Sequence, residues 1–192
     1  MSWEYSENIL VQESAGNLLR DELGWDVKFA YNTEVLGLNG TFGRMSYKEI
    51  LLKRYVREAL VRLNDWITPT QIEEVLRKLE DHLSTSSLLQ INEEKYDMIR
   101  DGVDVTYTKP DGTTDTRKAR LIDFNDPSQD SFLAIKELKI HGDLYRRRTD
   151  IVGFVNGLPL LFIELKKPSV DVENAYNDNY RDYQDTIPHL FY

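Results

Sequence analysis

Asp150, Glu164 and Lys166 are the residues whose types and spacing point most directly to chemistry. In Glu164-Leu165-Lys166 the acid and the base lie two residues apart, so on a strand both project from one face while Leu165 turns to the core. Asp150 opens the apolar run IVGFV and Glu164 follows the run LPLLFI, with Asn156-Gly157 between them. That dipeptide is a strong hairpin signal, because both residues tolerate the positive φ of a tight turn. Folding there returns Glu164 to the side of Asp150. Two carboxylates are what a hard cation such as Mg²⁺ takes, with water and phosphate oxygens filling its other positions. Such an ion acidifies a bound water and stabilises charge on a phosphodiester. Lys166 would orient the attacking water, help deprotonate it, or neutralise the pentacovalent phosphorus. The bland alternative is a set of surface ion pairs with Arg147, Arg148 or Lys166, worth little energetically.

Sharing one cation also demands a particular register. A plain two-residue turn at Asn156-Gly157 would pair Val155 with Leu158 and Asp150 with Ile163, leaving the carboxylates on opposite faces. The expectation is therefore a three-residue loop, Val155-Asn156-Gly157, with a bulge at Gly157 that pairs Phe154 with Leu158, or an equivalent irregularity near Thr149.

The elements that must position these residues follow from the rest of the chain. With 192 residues and 41% hydrophobic content the chain has enough material for a core. No apolar run approaches the roughly 20 residues needed to span a bilayer, and MSWEYSENIL lacks the layout of a signal peptide, so a cytoplasmic location is the default. The absence of cysteine excludes disulfides and thiolate metal sites, and His82, His141 and His189 show no zinc spacing. Any metal is therefore expected on oxygen. The net charge of −9 argues against a surface that grips nucleic acid all round but leaves room for a local basic rim of Arg146, Arg147, Arg148, Lys166 and Lys167.

Ile9, Leu10, Ala15, Leu18, Leu19 and Leu23 recur at helical spacing up to Gly24. Residues 26–45, rich in glycine, read as irregular surface chain. SYKEILLKRYVREALVRLN and PTQIEEVLRKLEDHL read as a helical hairpin, the second helix capped by Thr68 with Pro69 at its first position. A short helix over Gln90 to Ile99 ends at Asp101-Gly102. VDVTYT and TTDTRKARLIDF form a second β-hairpin around KPDG. SFLAIKELKI alternates as a strand, with Lys136 and Lys139 on its solvent face. VDVENAYNDNYRDYQDTI is helix-compatible, with Ala175, Asn179 and Tyr183 along one side. There is no repeat and no phosphate-binding GxxxxGK[ST] loop.

Asp150 followed by Glu164-Leu165-Lys166 resembles the PD-(D/E)xK nuclease signature, with Thr149 in place of the less constant proline. More narrowly, RRTDIVGFVNGLPLLFIELKKP resembles the N-terminal nuclease domain of the R (HsdR) subunit of type I restriction-modification enzymes, in which an NGLP turn is characteristic. Glu13 within LVQESAGNLLRDELGW, and DGVDVTY followed by LIDFNDPSQDSFLAIKEL, extend the likeness over most of the chain. The family's Gln-x-x-x-Tyr motif has its best match in Asn179 and Tyr183, with asparagine in place of glutamine, while Tyr176 and Tyr180 share the spacing.

The resemblance implies an α/β (α+β) restriction-endonuclease-like core, a mixed sheet flanked by helices. Residues 1–192 would form one endonuclease domain with a helical insertion at about 46–100, the N-terminal part of a longer motor subunit whose core sheet would continue past Tyr192. It implies an Mg²⁺-dependent endonuclease that hydrolyses double-stranded DNA away from the recognition site, with methyltransferase and specificity subunits as partners and ATP used by motors elsewhere in the chain. Asp150, Glu164 and Lys166 would be catalytic, and Asp150 and Glu164, with Glu13 as a further acid, would hold the metal. Arg146, Arg147, Arg148, Lys167, Asn179 and Tyr183 would contact DNA. The alternative is a non-catalytic docking module of the same fold that links the motor to the other subunits.

Overall fold

The computed structural model describes residues 11–81, 87–109, 111–166, 173 and 175–191. The chain divides into two compact units, one comprising the residues up to Leu52 together with Phe132–Phe191, the other Lys53–Ser131.

In the first unit, helix α1 (residues 11–17, continued by the π-helical turn Leu18–Glu22) leads into strand β1 (Asp26–Phe29). After Phe132 come β4 (Phe132–Lys136), β5 (Lys139–His141), β6 (Arg146–Arg148), β7 (Ile151–Val155) and β8 (Leu158–Ile163), followed by α5 (Ala175–Tyr180 as a π-helical stretch, then Arg181–Thr186). The main sheet has the order β1-β4-β7-β8, with β1 parallel to β4 and the other neighbours antiparallel, while β5 and β6 form a separate two-stranded ribbon. One sheet face packs Ala134 and Ile151 on Leu19 of α1, with Trp25, Val27, Leu161, Ile163 and Leu165 around them. On the opposite face Phe162 meets Tyr180 and Tyr183 of α5 and Phe191 after it. The architecture is thus the expected α+β class, a mixed sheet flanked by helices.

The second unit contains α2 (Lys53–Leu63), α3 (Pro69–Glu80), α4 (Leu88–Asp101) and the hairpin of β2 (Val103–Thr108) with β3 (Thr114–Ala119). Thr68 caps α3 and Ser87 caps α4, each in a reciprocal box with the glutamine three residues on, which satisfies two orphan amides at each helix start. Among the described residues no helix is long and apolar enough to cross a membrane.

Several sequence expectations are corrected. Within residues 26–45, Asp26–Phe29 is a strand; its exposed edge position, with only Val27 half-buried, leaves little apolar pattern to read. The chain after it is tied down by Arg44, fully buried, whose guanidinium grips Glu34 at 2.8 and 2.6 Å and the carbonyls of Glu49 and Lys139. That use of the Glu49 carbonyl, and a bond from the Leu52 amide to the Gly157 carbonyl, takes the backbone of SYKEIL out of helix, so α2 starts at Lys53. The strand expected over SFLAIKELKI breaks at Glu137, whose φ of 54° is left-handed. Lys136 is buried instead of solvent-facing.

The turn is also corrected. Asn156 and Gly157, at φ 51° and 86°, form a two-residue turn that pairs Val155 with Leu158 and Phe154 with Pro159. The register then shifts: Gly153 pairs with Leu161, leaving Leu160 as the extra residue, and Val152 and Ile151 pair with Phe162 and Ile163. Pro159 has no amide to give the ladder, which suits an edge strand beside a bulge. One step further along the shifted register Asp150 stands opposite Glu164. The bulge therefore does what the three-residue loop was expected to do, from another position.

Gly153 is required at this point, because a Cβ there would lie 2.7 Å from Trp25 Cζ3 and 2.9 Å from Leu161 Cβ. Gly153→Ala is expected to cost about 1–3 kcal/mol by overpacking, read as a lower midpoint in chemical denaturation. An unchanged midpoint would mean that the bulge relaxes freely.

Candidate active site

The bulge brings Asp150 and Glu164 to the same end of the β7–β8 hairpin. Asp150 is held through both oxygens: Oδ2 accepts from the Leu165 amide at 2.7 Å and Oδ1 from Gln12 Nε2 on α1 at 2.9 Å. Leu165 itself packs with the apolar cluster under α1, so its neighbours Glu164 and Lys166 project the other way, as the spacing predicts.

Glu164 is held on one side only. Its Oε1 accepts from Asn179 Nδ2 on α5 and lies 3.4 Å from Lys166 Nζ, whereas Oε2 is buried with no hydrogen-bond partner among the described residues. Its side chain is 10% exposed. Burial, and then the Asp150 charge, push its carboxyl above the ordinary value, against the opposing pull of Asn179 and Lys166. Tyr183 lies on the same side: its hydroxyl donates to the Arg148 carbonyl at 3.2 Å, and burial, followed by the Glu164 and Asp150 charges and the close approach of its hydroxyl to the Glu164 carboxylate, raises its pKa. The Asn-x-x-x-Tyr register that meets the acids is thus Asn179 and Tyr183; Tyr176 and Tyr180 stack on each other with centroids 5.6 Å apart.

Other residues singled out in the sequence are placed differently. Glu13 pairs with Lys136 Nζ at 2.5 Å and is half exposed. Among the described residues no three His, Asp or Glu side chains converge as metal ligands, so Glu13 does not complete a three-carboxylate set with Asp150 and Glu164. Arg147 turns to Asp182 at 2.9 Å and Thr186 at 3.1 Å on α5, Arg148 pairs with Glu137 at 3.3 Å, and Arg146 is exposed. Lys167 lies outside the described residues.

Sequence reasoning missed Gln12 and Lys136. Lys136 sits beside Ile151 in the register, and its stem passes α1 at Gly16, where an added Cβ would be 3.3 Å from Lys136 Cδ. The signal for it was a lone charge within the apolar FLAIK. Gln12, an amide on a helix, carries no such mark.

A hydrated divalent cation fits this donor set. Two carboxylates lie close enough to feel each other's charge, Asp150 oriented by neutral donors and Glu164 with a buried oxygen that has no partner among the described residues, and the remaining positions would be those that water and phosphate oxygens fill. Lys166 supplies a cation beside them.

The family description "Type I restriction enzyme R protein N terminus" matches residues 4–192. The chain belongs to this family. It is 32% identical over 173 residues to the HindI type I restriction enzyme endonuclease subunit of Haemophilus influenzae, covering 88% of this chain and 16% of that one. A putative type I restriction enzyme MjaIXP endonuclease subunit of Methanocaldococcus jannaschii is 29% identical over 156 residues, 77% of this chain and 14% of that one. The chain thus spans a small fraction of the length of its curated relatives and corresponds to the N-terminal domain of an R subunit.

Since burial and the Asp150 charge favour the neutral form of Glu164, the folded domain holds this proton more tightly than the unfolded chain, where a glutamate titrates near about 4.3. This group therefore stabilises the fold as pH falls from neutral through the raised pKa, and penalises it above. Glu164→Gln should therefore raise the Tm of the metal-free domain near neutral pH, with the advantage shrinking as pH falls from neutral through the raised pKa. Thermal unfolding across that range checks it, and equal Tm values at neutral pH would contradict the assigned cause.

Proposed function

We propose that this domain is the Mg²⁺-dependent endonuclease of a type I restriction enzyme R subunit, hydrolysing phosphodiester bonds of double-stranded DNA away from the recognition site. The observation that carries the reading is Glu164 Oε2, buried near Asp150 with no hydrogen-bond partner among the described residues, an oxygen whose cost a bound cation would relieve. Asp150 and Glu164 would hold Mg²⁺, which when bound supplies charge stabilisation at the scissile phosphate and a more acidic water.

The chain's own residues would do the remainder. The Leu165 amide and Gln12 fix the Asp150 carboxylate in one orientation. Asn179 holds Glu164 Oε1, so that Oε2 is the oxygen left for binding. Lys166, its side chain 21% exposed and its Nζ 3.4 Å from Glu164 Oε1, would orient the attacking water or offset charge on the phosphate. Tyr183 is held by Arg148 and the burial that raises its pKa, so its phenol stays neutral and serves as a donor. The partners in this reading are double-stranded DNA and the methyltransferase and specificity subunits. ATP would be used by motor domains in another part of the full-length subunit.

Lys166→Ala in the reconstituted complex is expected to lower DNA cleavage by at least about 100-fold while leaving ATP hydrolysis and translocation near wild type. Parallel loss of ATP hydrolysis would instead favour a docking module joining the motor to the other subunits.

A further inference from the structure

The β5–β6 ribbon ends two residues before Asp150, and its two faces differ sharply. In its register Lys139 faces Arg148, Ile140 faces Arg147 and His141 faces Arg146. Ile140 is fully buried and Arg147 turns to Asp182 and Thr186, so this pair marks the inward face. Lys139, His141, Arg146 and Arg148 consequently share the other face, where Lys139 stands directly opposite Arg148. Like charges in that relation destabilise a sheet. A fold with 33 acidic residues against 24 lysines and arginines has ample means to avoid it.

The neighbours hold these cations without neutralising them all. Arg148 lies 4.5 Å and Lys139 Nζ 4.8 Å from the centre of the Tyr31 ring, and Lys139 Nζ also donates to Asn32 Oδ1 at 3.2 Å. Arg148 has Glu137 as its counterion, Arg44 has Glu34 and Lys48 has Asp143. Among the described residues no carboxylate forms an ion pair with Lys139 or Arg146. His141 reports the resulting field: burial, and then Arg146, Arg44, Lys139 and Lys48, depress its pKa.

We propose that this ribbon face, carrying Lys139, His141, Arg146 and Arg148 with Tyr31 as its brace, binds the phosphate backbone of duplex DNA and leads it to Asp150. The assignment rests on the nuclease reading of the neighbouring site. Cations along one extended face can meet successive phosphates of a strand, and contacts of this kind position a duplex without reading its sequence. Continuity decides the partner: Thr149, buried and bonded to the Leu138 carbonyl, joins the ribbon rigidly to Asp150, so a backbone lying along the ribbon continues to the paired carboxylates.

Counterion release makes this measurable. Each phosphate neutralised contributes about 0.9 to the slope of log affinity against log salt. Full-length R subunit, wild type or carrying Lys139→Gln with Arg146→Gln, is titrated onto a fluorescent duplex lacking a recognition sequence, in ATP-free buffer without divalent metal, between about 50 and 200 mM salt. The double variant should show a slope shallower by about 1.8, and Arg146→Gln alone by about half of that. A double-variant slope equal to wild type overturns the proposal, whatever happens to the affinity at one salt concentration. Asp150→Ala separates the two readings: it should abolish cleavage by the complex and leave the salt slope unchanged. Normal cleavage by Asp150→Ala alongside the shallower slope would keep the ribbon contact and remove the nuclease assignment.

Discussion

A single extra residue on one strand controls what the site can be. The Asn156-Gly157 turn by itself would send Asp150 and Glu164 to opposite faces of the hairpin, and it is the insertion of Leu160 opposite Gly153 and Phe154 that restores them to one side. The bulge is possible because three local facts agree. Gly153 has no side chain to collide with Trp25 and Leu161, Pro159 has no amide to lose, and β8 ends the described sheet, so distortion there disrupts no further ladder. The left-handed Asn156 and Gly157 keep the turn tight, and the Gly157 carbonyl accepts from Leu52, which anchors the tip to the chain entering α2. Packing, turn chemistry and the placement of the two acids are thus solved by the same few residues.

The acids on that hairpin are stabilised from both sides of the sheet. From one side α1 delivers Gln12 to Asp150, and the helix is latched in place by the pairing of Glu13 with Lys136, for which Gly16 leaves room. A lysine buried in a central strand is tolerable because it is paired and because its stem packs on apolar neighbours. From the other side α5 delivers Asn179 and Tyr183, and the contact of Arg147 with Asp182 and Thr186 fixes that helix against the ribbon. Two helices far apart in sequence therefore meet at one pair of carboxylates, which is why the sheet needs helices on both faces.

Much of this was legible in the sequence and some of it was not, for physical reasons. The hairpin, the caps of α3, the β2–β3 hairpin and the terminal helix were written in local signals: Asn-Gly, Thr-Pro-x-Gln, Pro-Asp-Gly and spaced apolar residues. The need for an irregular register was also legible, since Asp150 and Glu164 cannot otherwise share a face. Its location was not, although Gly153 and Pro159 were available as markers, because both are compatible with a regular edge strand until Trp25 is packed beside them. β1 escaped notice because an exposed edge strand needs no apolar alternation. α2 began late because Glu49 and Leu52 spend their backbone groups on Arg44 and Gly157, partners that no window of sequence contains. Lys136 read as a surface residue since nothing local announces that Glu13 will come to meet it.

The decisive asymmetry lies between the two carboxylates. Asp150 has a donor on each oxygen, one from the backbone and one from a neutral amide, so it is oriented without being neutralised. Glu164 has its donors on Oε1 and none among the described residues on Oε2, though burial makes every missing partner costly. A buried oxygen left in that condition costs about 1–3 kcal/mol, and a glutamine or an apolar side chain at residue 164 would relieve it. A fold shaped by stability alone has no reason to place a second negative charge beside Asp150 and then leave one of its oxygens unsatisfied. The arrangement would become favourable with something positive between the acids, and under the proposed reading a donor set made only of oxygen, with a lysine at its edge, would favour a small hard cation over a softer one.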